Sequence, residues 1–301
     1  MIKIIAVDHG NSSIKTINHT FPAGLADAAG FAEEWVGHNG RQYTPSHRRL
    51  PYMRDKTKTE DYLILTKFAI ARELDGHTGD IVLAVGLPPA HYRLGKSAFE
   101  EYFSRRSPLQ FEYNGSPLTV NIKQVLVFPQ AAAAAITRMA ELKQQDLAYV
   151  IDIGGYTIDT LLMLKREDGS VKPEMEHTRS IDGGVNIMCN EIAQALSSQL
   201  GVHVEQHQIE AVLRGKSSML MADAQSLIRS RAQGYAESML HDLRERKMDL
   251  TTTRAFFVGG GALLLRRFIE SSNMVRGPVF VEDVAANAKG YQIMAEAVMR
   301  Q

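Results

Sequence analysis

The feature that most constrains this chain is a segment that occurs twice, once at the start and once near the middle. The two copies read Asp8-His9-Gly10-Asn11-Ser12-Ser13-Ile14-Lys15 and Asp152-Ile153-Gly154-Gly155-Tyr156-Thr157-Ile158-Asp159. Each copy follows a short apolar run and places a carboxylate, a glycine turn, small polar side chains and a returning β-rich run in that order. The pattern predicts two β-hairpins whose polar turns come at the end of a buried strand.

Glycine turns of this kind are suited to phosphate binding. They expose successive backbone N–H groups and let phosphate oxygens approach where a Cβ would collide. Two such hairpins facing each other would grip a polyphosphate from both sides, and Asp8 and Asp152 would hold a hydrated divalent cation between them. Lys15 on the returning strand is a candidate counter-charge. The alternative is two ordinary hairpins with polar turns, and Lys15 would then be a solvated surface residue.

Two further glycine segments precede predicted helices. Gly259-Gly260-Gly261 follows a buried strand, so a base or an α-phosphate can lie against backbone at a helix N-terminus. Asp182-Gly183-Gly184 precedes another helix and offers a further backbone cradle. The alternative for the first of these segments is a tight strand-to-helix turn without a ligand.

Composition restricts the function classes. The 301 residues are 45% hydrophobic, and this length predicts two domains with a large core. Lys plus Arg and Asp plus Glu both number 34, so net charge gives no attraction to nucleic acid or membrane. The single cysteine, Cys189, lies in an apolar pattern and is expected to be a buried structural thiol. No run approaches the ~20 apolar residues of a membrane span, so we expect a cytoplasmic protein without membrane contact.

Strand and helix patterns alternate in both halves of the chain, which predicts an α/β fold with two similar sheets. Buried strands are predicted at residues 2–7, 80–86, 147–153 and 254–258. Helices are predicted at 61–74, 96–105, 130–142, 185–200, 205–213, 219–246, 262–269 and 284–299, with Thr59 as the cap of the first. The pattern between Thr20 and Lys58 predicts only short strands and exposed loop.

The chain order of these pieces resembles the actin-like ATPase superfamily, which also contains sugar kinases and heat-shock chaperone ATPases. The segments DHGNSSIK, DIGGYTID, VGGGA and NAKGY are most similar to bacterial plasmid-partitioning actins of the ParM (StbA) type. This resemblance implies two actin-like (ribonuclease H-like) α/β domains around a cleft for ATP and Mg²⁺. Domain I would comprise residues 1–132 and 286–301, and domain II residues 133–285.

The resemblance also assigns site residues. Asp8 and Asp152 match the carboxylates that act on the cation through metal-bound water. The nucleotide-binding candidates, including the Gly183-Gly184 cradle, are Gly10, Asn11, Ser12, Ser13, Lys15, Gly154, Gly155, Thr157, Gly183, Gly184, Gly260 and Gly261.

Gln130 is the third catalytic candidate, with Asp8 and Asp152, and it departs from the family pattern. The best-known plasmid actin has a glutamate at this helix start, whereas eukaryotic actin has a glutamine. A glutamine can orient the attacking water but cannot take its proton, so slow turnover is expected. His9 is also unusual in the first loop, and we expect it to be neutral rather than a catalytic base.

The resemblance implies a nucleotide-dependent polymerising ATPase whose filaments segregate plasmid DNA through a DNA-bound adaptor protein. Its partners would be further copies of the chain and that adaptor, with no direct DNA binding. Two alternatives stay open: a nucleotide-gated scaffold that does not polymerise, and a small-molecule kinase on the same fold. The sequence does not decide between ATP and GTP.

Overall fold

The computed structural model describes residues 2–28, 30, 32–51, 53 and 55–300. The chain divides into two compact units, unit 1 with residues 1–137 and 283–301, and unit 2 with residues 138–282. Each unit contains its own sheet with helices packed on it, and the expected α/β fold with two sheets is confirmed.

The strands of the described residues are β1 Lys3–His9, β2 Ser13–Lys15, β3 Thr20–Pro22, β4 Gly24–Asp27, β5 Val36–His38, β6 Arg41–Arg49, β7 Gly79–Leu87, β8 Leu109–Tyr113, β9 Ser116–Pro129, β10 Leu147–Ile153, β11 Thr157–Lys165, β12 Val171–Asp182, β13 Arg254–Val258 and β14 Val279–Phe280. The helices are α1 Asp61–Glu73, α2 Pro89–Ser104, α3 Ala132–Ile136, α4 Met139–Leu142, α5 Val185–Leu200, α6 Gln206–Leu213, α7 Ala222–Glu245, α8 Gly259–Glu270 and α9 Ala286–Met299. None of these helices has the length and hydropathy needed to cross a bilayer.

The sheet of unit 1 has the strand order β3-β2-β1-β7-β9-β8-β5-β6-β4. Its centre is the parallel trio β1, β7 and β9, whose apolar β-branched runs suit burial on both faces. Alternate residues face opposite layers: Ile5 and Val7 pack in the core that includes α1 and α2. Ala6 and Ala84 face the core that includes α9. Small side chains on this second face allow the helix to approach the sheet closely.

The sheet of unit 2 has the order β12-β11-β10-β13-β14. β10 pairs antiparallel with β11 and parallel with β13, so the carboxyl ends of β10 and β13 lie side by side. The core on this sheet includes α5, α7 and α8, and the thiol of Cys189 is buried in it.

The alanine-rich stretch differs from its prediction. We predict one helix over residues 130–142, but β9 continues to Pro129 and two short helices follow. Gln130 N donates to Leu87 O on β7 at 2.8 Å, and Ala131 adopts a positive φ of 60°. Tertiary hydrogen bonds at the end of the strand therefore keep Gln130 and Ala131 out of the helix, whereas Ala132 to Ala135 form α3 in accordance with their helix propensity.

Two other predictions are corrected. α2 begins at Pro89 rather than Lys96, because a proline in the first turn loses no helical hydrogen bond. The N-cap of α1 is Glu60, and Thr59 does not cap it. The short strands predicted between Thr20 and Lys58 are confirmed: the described residues of this stretch form four strands, which complete both ends of the sheet of unit 1. Residues 29, 31, 52 and 54 of that stretch lie outside the described residues.

Candidate functional site

The first loop, residues 10–12, joins β1 to β2. The hairpin pairs Asp8 with Lys15 and His9 with Ile14. A Cβ added at Gly10 would come within 2.6 Å of Ser13 O, so the turn requires glycine at this position. The predicted first hairpin is thus confirmed, with its glycine turn at the carboxyl end of a buried strand.

Asp8 lies at the end of β1 with 3% of its surface exposed, and side chains from three other segments converge on it. Gln130 Nε2 donates to Asp8 Oδ1 at 3.0 Å, and the Tyr291 hydroxyl donates to the same oxygen at 3.5 Å. Lys15 Nζ is 3.9 Å from Asp8 Oδ2. The structure therefore brings three predicted residues, Asp8, Lys15 and Gln130, into one cluster in unit 1.

Helix α9 contributes residues that the sequence prediction missed. Tyr291 reaches Asp8 only because β7 carries glycine at Gly86, where a Cβ would overlap the tyrosine hydroxyl. Asn287 Oδ1 accepts a hydrogen bond from Ala131 N at 3.0 Å and so fixes the backbone beside Gln130. Both residues belong to the NAKGY segment, which contributes to the family resemblance. The sequence alone predicts no contact for either of them.

His9 supports the first loop from the core. Its ring is fully buried and lies 5.7 to 6.0 Å from the rings of Tyr62, Phe99 and Phe103. Thr66 donates its hydroxyl to a backbone carbonyl, so His9 Nε2 donates to Thr66 Oγ1 at 2.7 Å. Burial, with the nearby charge of Lys56, lowers the pKa of His9 to about 3. The imidazole is therefore neutral at physiological pH.

The second loop, residues 154–156, joins β10 to β11 in unit 2. Gly154 N donates to Thr157 O at 2.9 Å and closes the turn, which confirms the second predicted hairpin. The first amides of α5 then bind this loop: Val185 N donates to Gly154 O at 3.0 Å and Asn186 N donates to Gly155 O at 2.8 Å. Backbone hydrogen bonds therefore join the loop to the start of α5.

The Gly183-Gly184 pair has a different contact from the predicted one. Gly183 N and Gly184 N both donate to Tyr156 O, at 3.0 and 2.9 Å. A Cβ at Gly184 would overlap the backbone of Gly155 and Tyr156. In this structure both amides therefore hold the second loop in shape.

The Gly259-Gly260-Gly261 segment begins α8 beside Asp152, which pairs with Val258 across the parallel β10 and β13. Gly259 has a φ of +91°, and a Cβ there would overlap Asp152 Oδ1. A Cβ at Gly261 would lie 2.6 Å from Ile153 O, whereas Gly260 faces open space. Open backbone at a helix N-terminus beside a carboxylate suits a nucleotide and its cation.

Both loops contain backbone N–H groups that are available as hydrogen-bond donors. Within the part of the chain that the structure describes, no acceptor lies against the N–H of Asn11, Ser12 or Gly155, and all three residues are partly exposed. Backbone N–H groups that are left open in a glycine turn bind anions. Each unit thus combines a loop of open amides with a carboxylate at the end of the preceding strand.

Two family models match the chain on either side of residue 140. Residues 6–132 match the N-terminal domain of actin-like proteins, and residues 150–271 match the C-terminal domain of the archaeal actin homologue MreB-like family. Together they cover most of the chain. The chain belongs to the actin-like proteins.

Solved structures show the same fold for this actin-like protein over its full length. A ParM protein from Clostridium botulinum, solved as a 15-stranded filament, is 17% identical with a TM-score of 0.79 and covers 99% of this chain and 100% of its own. The archaeal actin homologue Ta0583 in complex with ADP is 19% identical with a TM-score of 0.77 and the same coverages. Bacillus thuringiensis ParM with ATP is 12% identical, with a TM-score of 0.67 and full coverage of both chains. No curated protein matches the chain.

Proposed function

We propose that this actin-like protein is an ATPase that binds ATP with Mg²⁺ and polymerises into filaments. The observation that carries the proposal is the pairing, in each unit, of a strand-end carboxylate with a glycine loop whose amides are open. Two similar structures contain ADP or ATP, which supports the choice of nucleotide.

Four side chains would carry the chemistry. Asp8 and Asp152 would hold Mg²⁺ through water, and Lys15, already near Asp8, would neutralise phosphate oxygens. When bound, Mg²⁺ offsets the charge of the phosphates during transfer. Gln130 donates its Nε2 hydrogen to Asp8, which leaves its carbonyl oxygen to orient the attacking water. An amide cannot accept the proton of that water, so we expect slow hydrolysis.

Filament formation is proposed from the similar proteins and from general assembly rules. Structurally similar ParM and Alp12 proteins were solved as filaments. Head-to-tail contacts that do not close into a ring produce such filaments. The chain has no net charge to attract DNA, so we propose a DNA-bound adaptor protein for plasmid segregation in the cytoplasm.

The proposal is tested by phosphate release and light scattering at rising protein concentration with ATP and Mg²⁺, followed by electron microscopy. We expect filaments and slow release, and Asp152→Ala should abolish release while leaving the fold intact. Asp168→Ala, at an exposed turn, is the matched control. Binding without assembly would favour the nucleotide-gated scaffold, and transfer of phosphate to a sugar would favour the kinase. Unchanged release in Asp152→Ala would show that this carboxylate is misassigned.

A further inference from the structure

Unit 1 contains a cavity of about 830 Å³ that none of the candidate nucleotide residues lines. It lies between the β5–β6 turn, the start of α1 and the strands β8 and β9. β5 and β8, which border it, are paired at Val36 and Tyr113. Pockets for small ligands have volumes of roughly 300 to 1,000 Å³, so this cavity has the size of a small-molecule site.

Lys67 of α1 lines this cavity, although only 4% of the residue is exposed. Its ammonium has three N–H donors, and His38 Nδ1, at 2.7 Å, is the one acceptor among the described residues. The ammonium also lies 5.4 Å from the ring centre of Phe111. Burial lowers the pKa of Lys67 to about 8, with Glu60 opposing the shift. Two donors of a largely desolvated cation therefore remain for an acceptor inside the cavity.

The acidic neighbour of Lys67 is already engaged. Glu60 Oε2 accepts from His38 Nε2 at 2.7 Å and from Asn39 Nδ2 at 3.2 Å. Arg106 Nη2 lies 3.9 Å from Glu60 Oε1, and its guanidinium stacks over Tyr102 at 4.2 Å. Arg106 thus joins Lys67 and Arg41 as a cation of the cavity lining, which also contains Glu112, and His38 separates Lys67 from the carboxylate of Glu60.

The rest of the lining is partly apolar, with Leu63, Leu109, Phe111 and Leu118 among its side chains. We propose that this cavity binds a small organic carboxylate. The carboxylate accepts hydrogen bonds from Lys67 and Arg106, and the apolar body packs on Leu109, Phe111 and Leu118. An acceptor with one negative charge satisfies the donors that His38 leaves open, and the apolar lining favours an organic anion over an inorganic one.

The test uses benzoate as the probe and benzamide as its uncharged match, with the full chain in saturation-transfer NMR and calorimetric titration. We expect benzoate to bind and benzamide to bind about tenfold more weakly or worse, because the charge-assisted hydrogen bonds are lost. Lys67→Met keeps a stem of similar length and should weaken benzoate binding by at least about tenfold. Lys58→Met, at an exposed lysine, should leave it unchanged.

Arg106→Gln changes a residue nearer the surface and should weaken benzoate binding several-fold. This variant tests the site if Lys67→Met does not fold. The proposal is overturned if benzoate, acetate and succinate all fail to bind at tens of millimolar. Equal benzoate affinity in the folded Lys67→Met variant overturns it as well. Inorganic phosphate that binds as tightly as benzoate would exclude the carboxylate assignment. ATP binding is measured in parallel, so a failure of this site is distinguished from a failure of the proposed function.

Discussion

The first and second loops have similar sequences but are supported in different ways. The first is held by side chains: Tyr291 and Gln130 bind Asp8, and His9 anchors the turn in an aromatic core. The second is held by backbone, because the amides that begin α5 donate to its carbonyls. Side-chain support depends on particular polar groups, whereas backbone support depends on the absence of a side chain at Gly184. The two loops should therefore fail under different substitutions.

The largest effect is expected where the backbone support of the second loop is blocked. Gly184→Ala places a Cβ on the backbone of Gly155 and Tyr156, which cannot move aside as a flexible side chain can. We expect a loss of about 3 kcal/mol or more in the free energy of unfolding. Gly260→Ala is the matched control, because its Cβ meets open space. Chemical denaturation measures both variants, and equal stability of the two would refute backbone support as the constraint.

In the first loop, the corresponding test removes a side chain. Gln130→Ala should slow ATP hydrolysis by about 10- to 100-fold if its amide orients the attacking water. Because Gln130 also donates to Asp8, ATP affinity should change less than the rate. Single-turnover phosphate release measures the rate, with Gln233→Ala on the exposed face of α7 as control. Normal turnover in Gln130→Ala would show that this residue supports Asp8 and does not orient the attacking water.

Acid should affect the two units differently, because His9 lies in unit 1. Its pKa is about 3 when folded and near 6.5 when unfolded, so the unfolded chain binds the extra proton as the pH falls below 6.5. Above pH 6.5 the neutral ring makes its full contribution to the free energy of unfolding. About 2 kcal/mol of that free energy should be lost by pH 5. His9→Phe should flatten this part of the stability profile, and His241→Phe at an exposed site should not. An unchanged slope in His9→Phe would show that other groups cause the acid sensitivity.

The smallest effect concerns a side chain that supports Gly183, whose amide holds the second loop. The Tyr235 hydroxyl donates to Gly183 O, and burial raises the pKa of Tyr235, so this hydroxyl stays protonated. Tyr235→Phe should cost about 1 kcal/mol of stability and raise the dissociation constant for ATP a few-fold. Thermal unfolding and calorimetry measure the two effects, with Tyr43→Phe in unit 1 as control. A loss as large as that of Gly184→Ala would contradict the dominance of backbone support.

The sequence predicts those parts of the fold in which local pattern and tertiary structure agree. The buried strands and helix α5 follow from apolar periodicity and flanking glycines. The helix predicted over residues 130–142 is confirmed at 132–136 and 139–142, but its start is wrong because the ladder with β7 and the side-chain oxygen of Asn287 fix a different backbone at Gln130 and Ala131. Helix propensity carries no information about those contacts.

The same limit applies to the candidate site. Glycine, aspartate and small polar residues mark the two loops directly, because the turn chemistry requires these residue types. The contact of Tyr291 with Asp8 spans nearly the whole chain, and the aromatic core around His9 joins α1 and α2 to β1. Lys67 reads as an ordinary position of an amphipathic helix, and only the tertiary structure places the β5–β6 turn and the strands β8 and β9 around it to form a cavity.

The place of α9 in the chain affects how the molecule is made on the ribosome. Unit 2 is continuous between residues 138 and 282, so it can complete its core as soon as that segment has left the exit tunnel. Unit 1 starts earlier but has to wait for α9, which supplies Tyr291 to Asp8 and packs on β1. During synthesis the strand that carries the first catalytic candidate therefore stays without its final cover until α9 has left the tunnel.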